Sequence, residues 1–406
     1  MFRLQFVARR NQQRLFAPSL VRMRAMRPFL PFLFSLFFGV SVQAQWWHVQ
    51  TSGLDTNLRG VSVAEMPDAM GAPVPVVWAS GSNAVILKSI DEGKTWKRLR
   101  VTGGDALDFR GIVAFNASTA YVMSSGEGEK SRIYKTIDGG PTWKLQYSDK
   151  RKEFFLDSIA CPSEKECLAL GDPIDGKFLL LKTTDGEHWN PLPNDNMPSA
   201  LPGEGAFAAS NSCLALKGNE IYFATGGPEA RVFHSADSGK TWSVMETPIG
   251  SGKPSAGIFS LALGDDNRIM ALGGDYKEPG RRYRVAAYSL DKGKTWHLAA
   301  RQPGGYRSAV AHIDYGEWVA IGPNGEDFSN DYGAHWKHTD SLNLNAVTLL
   351  DIFTGWAVGP NGTIARFVNH NQYEIHDRHP RRHQKPAALD VADSMKKVYS
   401  PALKSR

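Results

Sequence analysis

Apolar and polar positions alternate along this chain in short runs, and almost nowhere with the three-to-four spacing of a helix. Leu58-Arg59-Gly60-Val61-Ser62-Val63, Val76-Val77-Trp78-Ala79-Ser80 and Ala84-Val85-Ile86-Leu87-Lys88 each read as a strand. A polar corner, Ser89/Asp91/Gly93/Thr95/Trp96, leads into a fourth short run, Trp96-Lys97-Arg98-Leu99. The set then recurs. Phe109-Arg110-Gly111-Ile112-Val113, Ala120-Tyr121-Val122-Met123 and Ser131-Arg132-Ile133-Tyr134-Lys135 precede a second corner, Thr136/Asp138/Gly140/Thr142/Trp143. Further corners are Ser235/Asp237/Gly239/Thr241/Trp242 and Ser289/Asp291/Gly293/Thr295/Trp296. Two are degenerate: Thr183 to Trp189, around Asp185, is one residue short, and Ser329 to Trp336, around Asp331, has His335 where the others have Thr. The six tryptophans lie 47, 46, 53, 54 and 40 residues apart, the regular interval of a repeat architecture.

The corner has the chemistry of a tight turn. Asp accepts from nearby backbone N–H groups, Gly allows a positive φ, and Ser or Thr adds a local bond. Trp offers a broad apolar plate to wedge beside the neighbouring unit. Six repeated Asp residues could also be read as acids or metal ligands, but catalytic sites do not repeat around a chain. Four short strands per unit with Gly-rich connections describe propeller blades. Inner strands beginning near Leu58, Phe109, Leu156, Ser210, Ile258, Tyr306 and Leu344 give seven. The expected fold is all-β, a seven-bladed propeller of four-stranded antiparallel sheets over residues 45–368. The seventh unit stops at Thr363-Ile364-Ala365-Arg366-Phe367 without a corner or an outer strand. Trp46-Trp47-His48-Val49-Gln50 resembles an outer strand, with Trp47 in the Trp position, so the two ends of the chain are expected to close the ring.

These corners resemble the Asp-box repeats shared by bacterial neuraminidases, sortilin-type receptors and the photosystem II stability/assembly factor family. The starts Leu58-Arg59-Gly60-Val61 and Phe109-Arg110-Gly111-Ile112, with Trp356-Ala357-Val358-Gly359 and Gly322-Pro323-Asn324-Gly325, look most like the last of these. That resemblance implies a non-catalytic scaffold that binds a partner protein, with no cofactor. The fold alone does not name the partner.

Strand alternation puts the inner-strand starts and the loops between second and third strands on one face. Aligned, the inner strands contribute Arg59, Arg110, Asp157, Asn211, Phe259, Arg307 and Asn345. Arg59, Arg110 and Arg307 then share an arc that suits an anionic ligand or an acidic protein segment. Alternatively, each Arg pairs with a neighbouring acid or caps backbone carbonyls. Asp172 and Asp275, in the loops between second and third strands, add acids on the opposite arc. The loop Tyr276–Arg284 either extends a partner surface or is a solvated charged loop, and 191–205 reads as a Pro-rich insertion on the same face. Two enzymatic readings compete with the scaffold. A sialidase-like glycosidase would need three Arg, an acid/base Asp and a Tyr activated by Glu. Phe109-Arg110-Gly111-Ile112 lacks the Pro of that motif and seven blades exceed that family's six. A redox propeller would need a Cys or His constellation on the inner strands, which the sequence lacks.

Charge changes the picture through its distribution. The formal net charge is +6, yet residues 1–44 hold seven Arg and no acid, and residues 371–406 hold eight Lys and Arg against four acids. The body is mildly acidic, so nucleic acid is not an expected partner. Residues 28–42 are apolar, follow Arg22, Arg24 and Arg27, and run to Val42-Gln43-Ala44. That reads as an export signal over 1–44, with Met23 or Met26 an alternative start. The other reading, a spanning anchor, needs roughly 20 apolar residues. An exported monomer in the periplasm or outside the cell, with no membrane segment after cleavage, is expected. In that oxidising setting Cys161 and Cys167 could pair across a turn, leaving Cys213 as a small buried hydrophobe. His370, His376, His379 and His383 lack metal-ligand spacing, so 369–406 is expected to be a disordered basic tail.

Overall fold

The computed structural model describes residues 47–264 and 267–368. The export signal expected over 1–44 and the basic tail expected over 369–406 lie outside the described residues. Seven antiparallel sheets follow one another along the chain, six of four strands and one of five. The first consists of Leu58–Pro67, Pro73–Gly81, Val85–Ser89 and Lys97–Leu99. The fifth gains an edge from Gly226–Gly227, which pairs with its inner strand Lys253–Leu263. The seventh is closed by Trp47–Thr51, paired with Thr363–Val368 so that Trp47 lies opposite Phe367. The ring therefore has no open seam.

Apolar side chains on both faces of each sheet bury themselves between blades. The seven core clusters correspond to the seven blade-to-blade interfaces, including the one that joins the last blade to the first through Trp356, Ile364, Val77 and Leu87. Each corner Trp packs back on the preceding blade. Trp143 meets Trp78 edge-on at 6.3 Å and Trp189 meets Tyr121 at 6.0 Å. Trp47 takes the corresponding place in the interface before blade seven, 5.3 Å from Phe367.

The corner tryptophans differ in how deep they sit in the interface. Trp189 and Trp336 are buried, but Trp96, Trp143, Trp242 and Trp296 are only half-buried. Trp296 shows why. It lies against the edge of the cluster that contains Tyr222, Ile269 and Ala287, and its indole donates to the Gly293 carbonyl of its own corner at 3.1 Å. Its chain neighbours Thr295 and His297 are exposed, because the ring enters the interface from the rim, just before the outermost strand His297–Leu298. The plate therefore covers the margin of the core rather than filling it.

The corners are built as their residue types require. In blade two, Thr142 donates to Asp138 from its backbone N at 3.1 Å and from its hydroxyl at 2.6 Å. Gly140 donates to the Thr136 hydroxyl at 3.0 Å, and the Trp143 indole donates back to the Gly140 carbonyl at 3.1 Å. Gly140 has φ +103°, and a Cβ there would meet Leu99 of the preceding blade at 2.4 Å. Only glycine serves both needs. In the shortened third corner the Trp189 indole N–H is buried without a partner among the described residues. There and in the sixth corner a histidine, His188 or His335, takes the Thr side-chain place against Asp185 or Asp331. Cys161 and Cys167 form a disulfide across the turn of blade three, and Cys213 is free and buried.

The acids of the fold divide by environment. Hydrogen bonds from the Thr four residues on hold Asp91, Asp138, Asp237 and Asp291 at about 2. Their contribution is present above the ordinary carboxylate range and is lost as pH falls through about 2. Glu326 is the reverse case: it is 2% exposed, its Oε2 has no partner, and burial pushes it up to about 8. Its contribution is complete below the ordinary Glu value and is lost as pH rises through about 8. Glu326→Gln is expected to remove a loss of a few kcal/mol in urea stability that the native protein undergoes as pH rises from the ordinary Glu value to about 8, and to leave the profile above that unchanged in slope. Parallel profiles for both proteins between about pH 4.5 and 8 would contradict this.

Candidate functional site: the channel mouth

Four inner strands carry a β-bulge at the same place. The ladder slips between Leu58 and Gly60, Phe109 and Gly111, Leu156 and Ser158, and Ile258 and Ser260. The residues left out of register are Arg59, Arg110, Asp157 and Phe259. A bulge leaves its extra residue unpaired and re-aims the side chain. All four line one cavity of about 520 Å³ at the end of the central channel, to which every blade contributes. That volume lies in the range of small-ligand sites.

Arg59 and Arg110 converge on a single acceptor, the Ala208 carbonyl, at 3.4 and 3.1 Å. Arg110 also donates from Nε to Asp108 at 2.7 Å. Arg59 Nε is buried with no partner among the described residues, and burial and the Arg110 charge pull the Arg59 pKa down. Two guanidinium groups therefore share one neutral oxygen and a single carboxylate, Asp108, which leaves Arg59 donors for an arriving anion. Next to Arg110, on blade three, stand Asp157 and Asp172, and the Arg110 charge acts on Asp157. Asp157 is 1% exposed and neither carboxylate oxygen has a hydrogen-bond partner among the described residues. Burial, then the Asp172 charge, raises its pKa well above the ordinary value. Burial also raises Asp172, whose Oδ1 accepts from the Ala206 N–H at 3.0 Å. Aromatic rings wall the remainder. Phe207 stacks on Phe259 at 3.8 Å, and Phe259 meets Tyr306 edge-on at 4.7 Å.

The other expected site residues are engaged by neighbouring groups, and only some of them reach the mouth. Arg307 is fully buried rather than presented at the mouth: its guanidinium pairs with Asp327 and donates to the Tyr306 carbonyl at 2.9 Å. The expected arc of three arginines is therefore two, and the three-Arg carboxylate clamp of a sialidase is not assembled. Asn211 is occupied by blade three, accepting from Ile159 N at 2.7 Å and donating to Ile159 O at 3.0 Å. Asn345 lines the cavity and bonds Asn57 and the Leu58 carbonyl. Asp275 pairs with Lys253 at 3.0 Å and faces a separate cavity of about 250 Å³ with Arg281 and Arg284. In the loop Tyr276–Arg284, Glu278 takes Lys253 at 2.6 Å and Arg281 at 3.1 Å, while Tyr276 lines the mouth.

A segment that the pattern did not single out shapes this site. Residues 206–210 cross the mouth before blade four's inner strand, which begins at Leu214 rather than near Ser210. Ser210 Oγ reaches the Ser308 carbonyl of blade six at 2.7 Å. The segment is anchored upstream by Glu204, which is 5% exposed and takes Arg231 Nε at 2.8 Å and Thr225 Oγ1 at 2.6 Å. Its traces in the sequence were the Pro-rich insertion 191–205, which runs up to it, and the wide spacing of 53 between Trp189 and Trp242. Among the described residues no group of three or more His, Cys, Asp or Glu could hold a metal ion.

No family model matches the chain. Over 215 residues it is 26% identical to the photosystem II assembly protein Ycf48 of Synechococcus sp. (strain JA-2-3B'a(2-13)), which is 52% of this chain and 55% of that protein. The chain is similar to Ycf48. The match thus spans about half the length of that curated relative. A structure of YCF48 bound to D1 peptide superposes with TM-score 0.57 and 14% identity, covering 80% of this chain and 97% of that one. YCF48 from Cyanidioschyzon merolae also gives 0.57, at 12% identity, covering 80% and 99%. A streptogramin B lyase gives 0.54 at 13% identity, covering 80% and 99%. The ring is thus shared by a Ycf48 assembly protein and by an enzyme, and the choice between them rests on the site.

Proposed function

We propose that this Ycf48-like propeller is an exported, non-catalytic scaffold whose channel mouth takes a carboxylate-bearing segment of a partner protein. The convergence of Arg59 and Arg110 on the lone Ala208 carbonyl carries this reading. An incoming carboxylate can take their fork donors in a site already partly desolvated, where charge-assisted bonds are strong. The similarity to an assembly protein supports a protein as the source of that carboxylate. The charged and apolar pattern of 1–44 supports export.

A fluorescein-labelled hexapeptide with one Glu and a free C-terminal carboxylate tests it, by anisotropy on the full chain. The Arg59→Gln/Arg110→Gln variant is expected to bind about tenfold or more weakly, with unchanged urea stability. Equal affinity for variant and native protein would reject the arginine site. No turnover of a fluorogenic sialoside is expected, whereas turnover abolished by Arg110→Gln would favour a glycosidase.

A further inference from the structure

The arginines account for half of the mouth. On the blade after Arg110, Asp157 presents two buried carboxylate oxygens with no hydrogen-bond partner among the described residues. Arg110 is already engaged by Asp108 and by the Ala208 carbonyl. Asp172 lines the same cavity with only Oδ1 held, by the Ala206 N–H. A buried carboxylate without donors is costly, so its retention on a bulge aimed into a cavity calls for a donor from outside. Phe207 and Phe259, with Tyr276 beside them, offer ring surface next to the acids. Ring faces beside acids favour a cation.

We infer that the mouth holds a second subsite, in which Asp157 and Asp172 receive an ammonium or guanidinium group of the partner segment. This rests on the proposed carboxylate site and narrows it: the segment carries a basic side chain next to its carboxylate. A purely acidic segment would set its second charge against Asp157 and Asp172, so the acids also discriminate against it.

Two fluorescein-labelled hexapeptides that differ at the penultimate position, Lys in one and norleucine in the other, both with a free C-terminal carboxylate, test this on the full chain. The Lys peptide is expected to bind about tenfold or more tightly, since a charge-assisted bond to a desolvated carboxylate is worth that much. In Asp157→Asn, which keeps the shape of the side chain, the preference is expected to disappear while the norleucine peptide binds as before. Asp172→Asn serves as a second variant should Asp157→Asn lose its fold, and is expected to reduce the same ratio. Equal binding of both peptides by the native protein, with loss in Arg59→Gln/Arg110→Gln, overturns the cation subsite and leaves the carboxylate site standing. A Lys preference that persists in both Asp variants also overturns it. Failure of both peptides to bind overturns both readings together.

Discussion

Arg307→Ala is expected to destabilise the protein by about 3–5 kcal/mol, far more than any change at the other two arginines of the aligned set. The Arg307 side chain is fully buried and Asp327 is 1% exposed. Asp327 Oδ2 accepts from Arg307 Nε at 2.7 Å and from the Gly304 N–H at 2.9 Å. Removing the guanidinium leaves a buried carboxylate with one backbone donor, and it strips the Tyr306 carbonyl and Asn324 Oδ1 of their partner. Most of the cost is the orphaned charge rather than the lost contact. Arg307→Met with Asp327→Leu should therefore recover much of the loss. Arg59→Ala and Arg110→Ala, both partly exposed and lacking any buried carboxylate partner, should each stay within about 1 kcal/mol. Urea denaturation of the four variants decides the matter. An Arg307→Ala protein as stable as the native one would mean that the buried pair contributes nothing.

A loss of similar size is expected for Glu204→Ala, again about 3–5 kcal/mol, with a local consequence as well. Glu204 is the single acid for the Arg231 guanidinium, whose side chain is 9% exposed, and it also accepts from Thr225 and from the Leu201 N–H at 2.8 Å. Arg231 in turn holds the Ser199 carbonyl at 3.0 Å. Without Glu204, the insertion loses the tie that delivers Ala206–Ala209 to the mouth, and Arg59 and Arg110 lose their common acceptor. Limited proteolysis followed by mass spectrometry should show new cleavage between Ser199 and Ala209 in Glu204→Ala, and much less in Glu204→Gln, which keeps an acceptor. Identical digestion patterns would show that the crossing segment is held by other contacts. Because the anchor lies outside the mouth, this variant separates the placing of the Ala208 carbonyl from the arginines that use it.

Both expectations turn on residues whose roles depend on distant parts of the chain, and that divides what could be read early from what could not. The corners were legible because their physics is local. Ser, Asp, Gly, Thr and Trp meet within eight residues, so spacing alone defines the turn, and its recurrence counts the blades. How deep each corner ring sits was not legible, since Trp296 and Trp336 share a motif and differ in burial through what the preceding blade sets beside them. Closure through Trp47 could be read, because a missing outer strand and a spare one were both visible as patterns. The bulged positions Arg59, Arg110, Asp157 and Phe259 could be aligned, but the pattern treated Arg307 as their equivalent. Its neighbour across the strands, Asp327, is 20 residues away, and nothing in the sequence states that the two are buried together.

By itself, then, the amino-acid pattern determined an all-β ring of seven repeating units, the corner chemistry that builds it and the face on which the inner strands begin. Only the tertiary structure decided which aligned side chains reach the cavity, that one arginine is held inside by an acid, and that a stretch between blades three and four crosses the mouth. The reason is range. Turns and strand alternation are set by neighbours a few residues apart, whereas burial and charge pairing are set by contacts across the ring, where sequence distance carries no information.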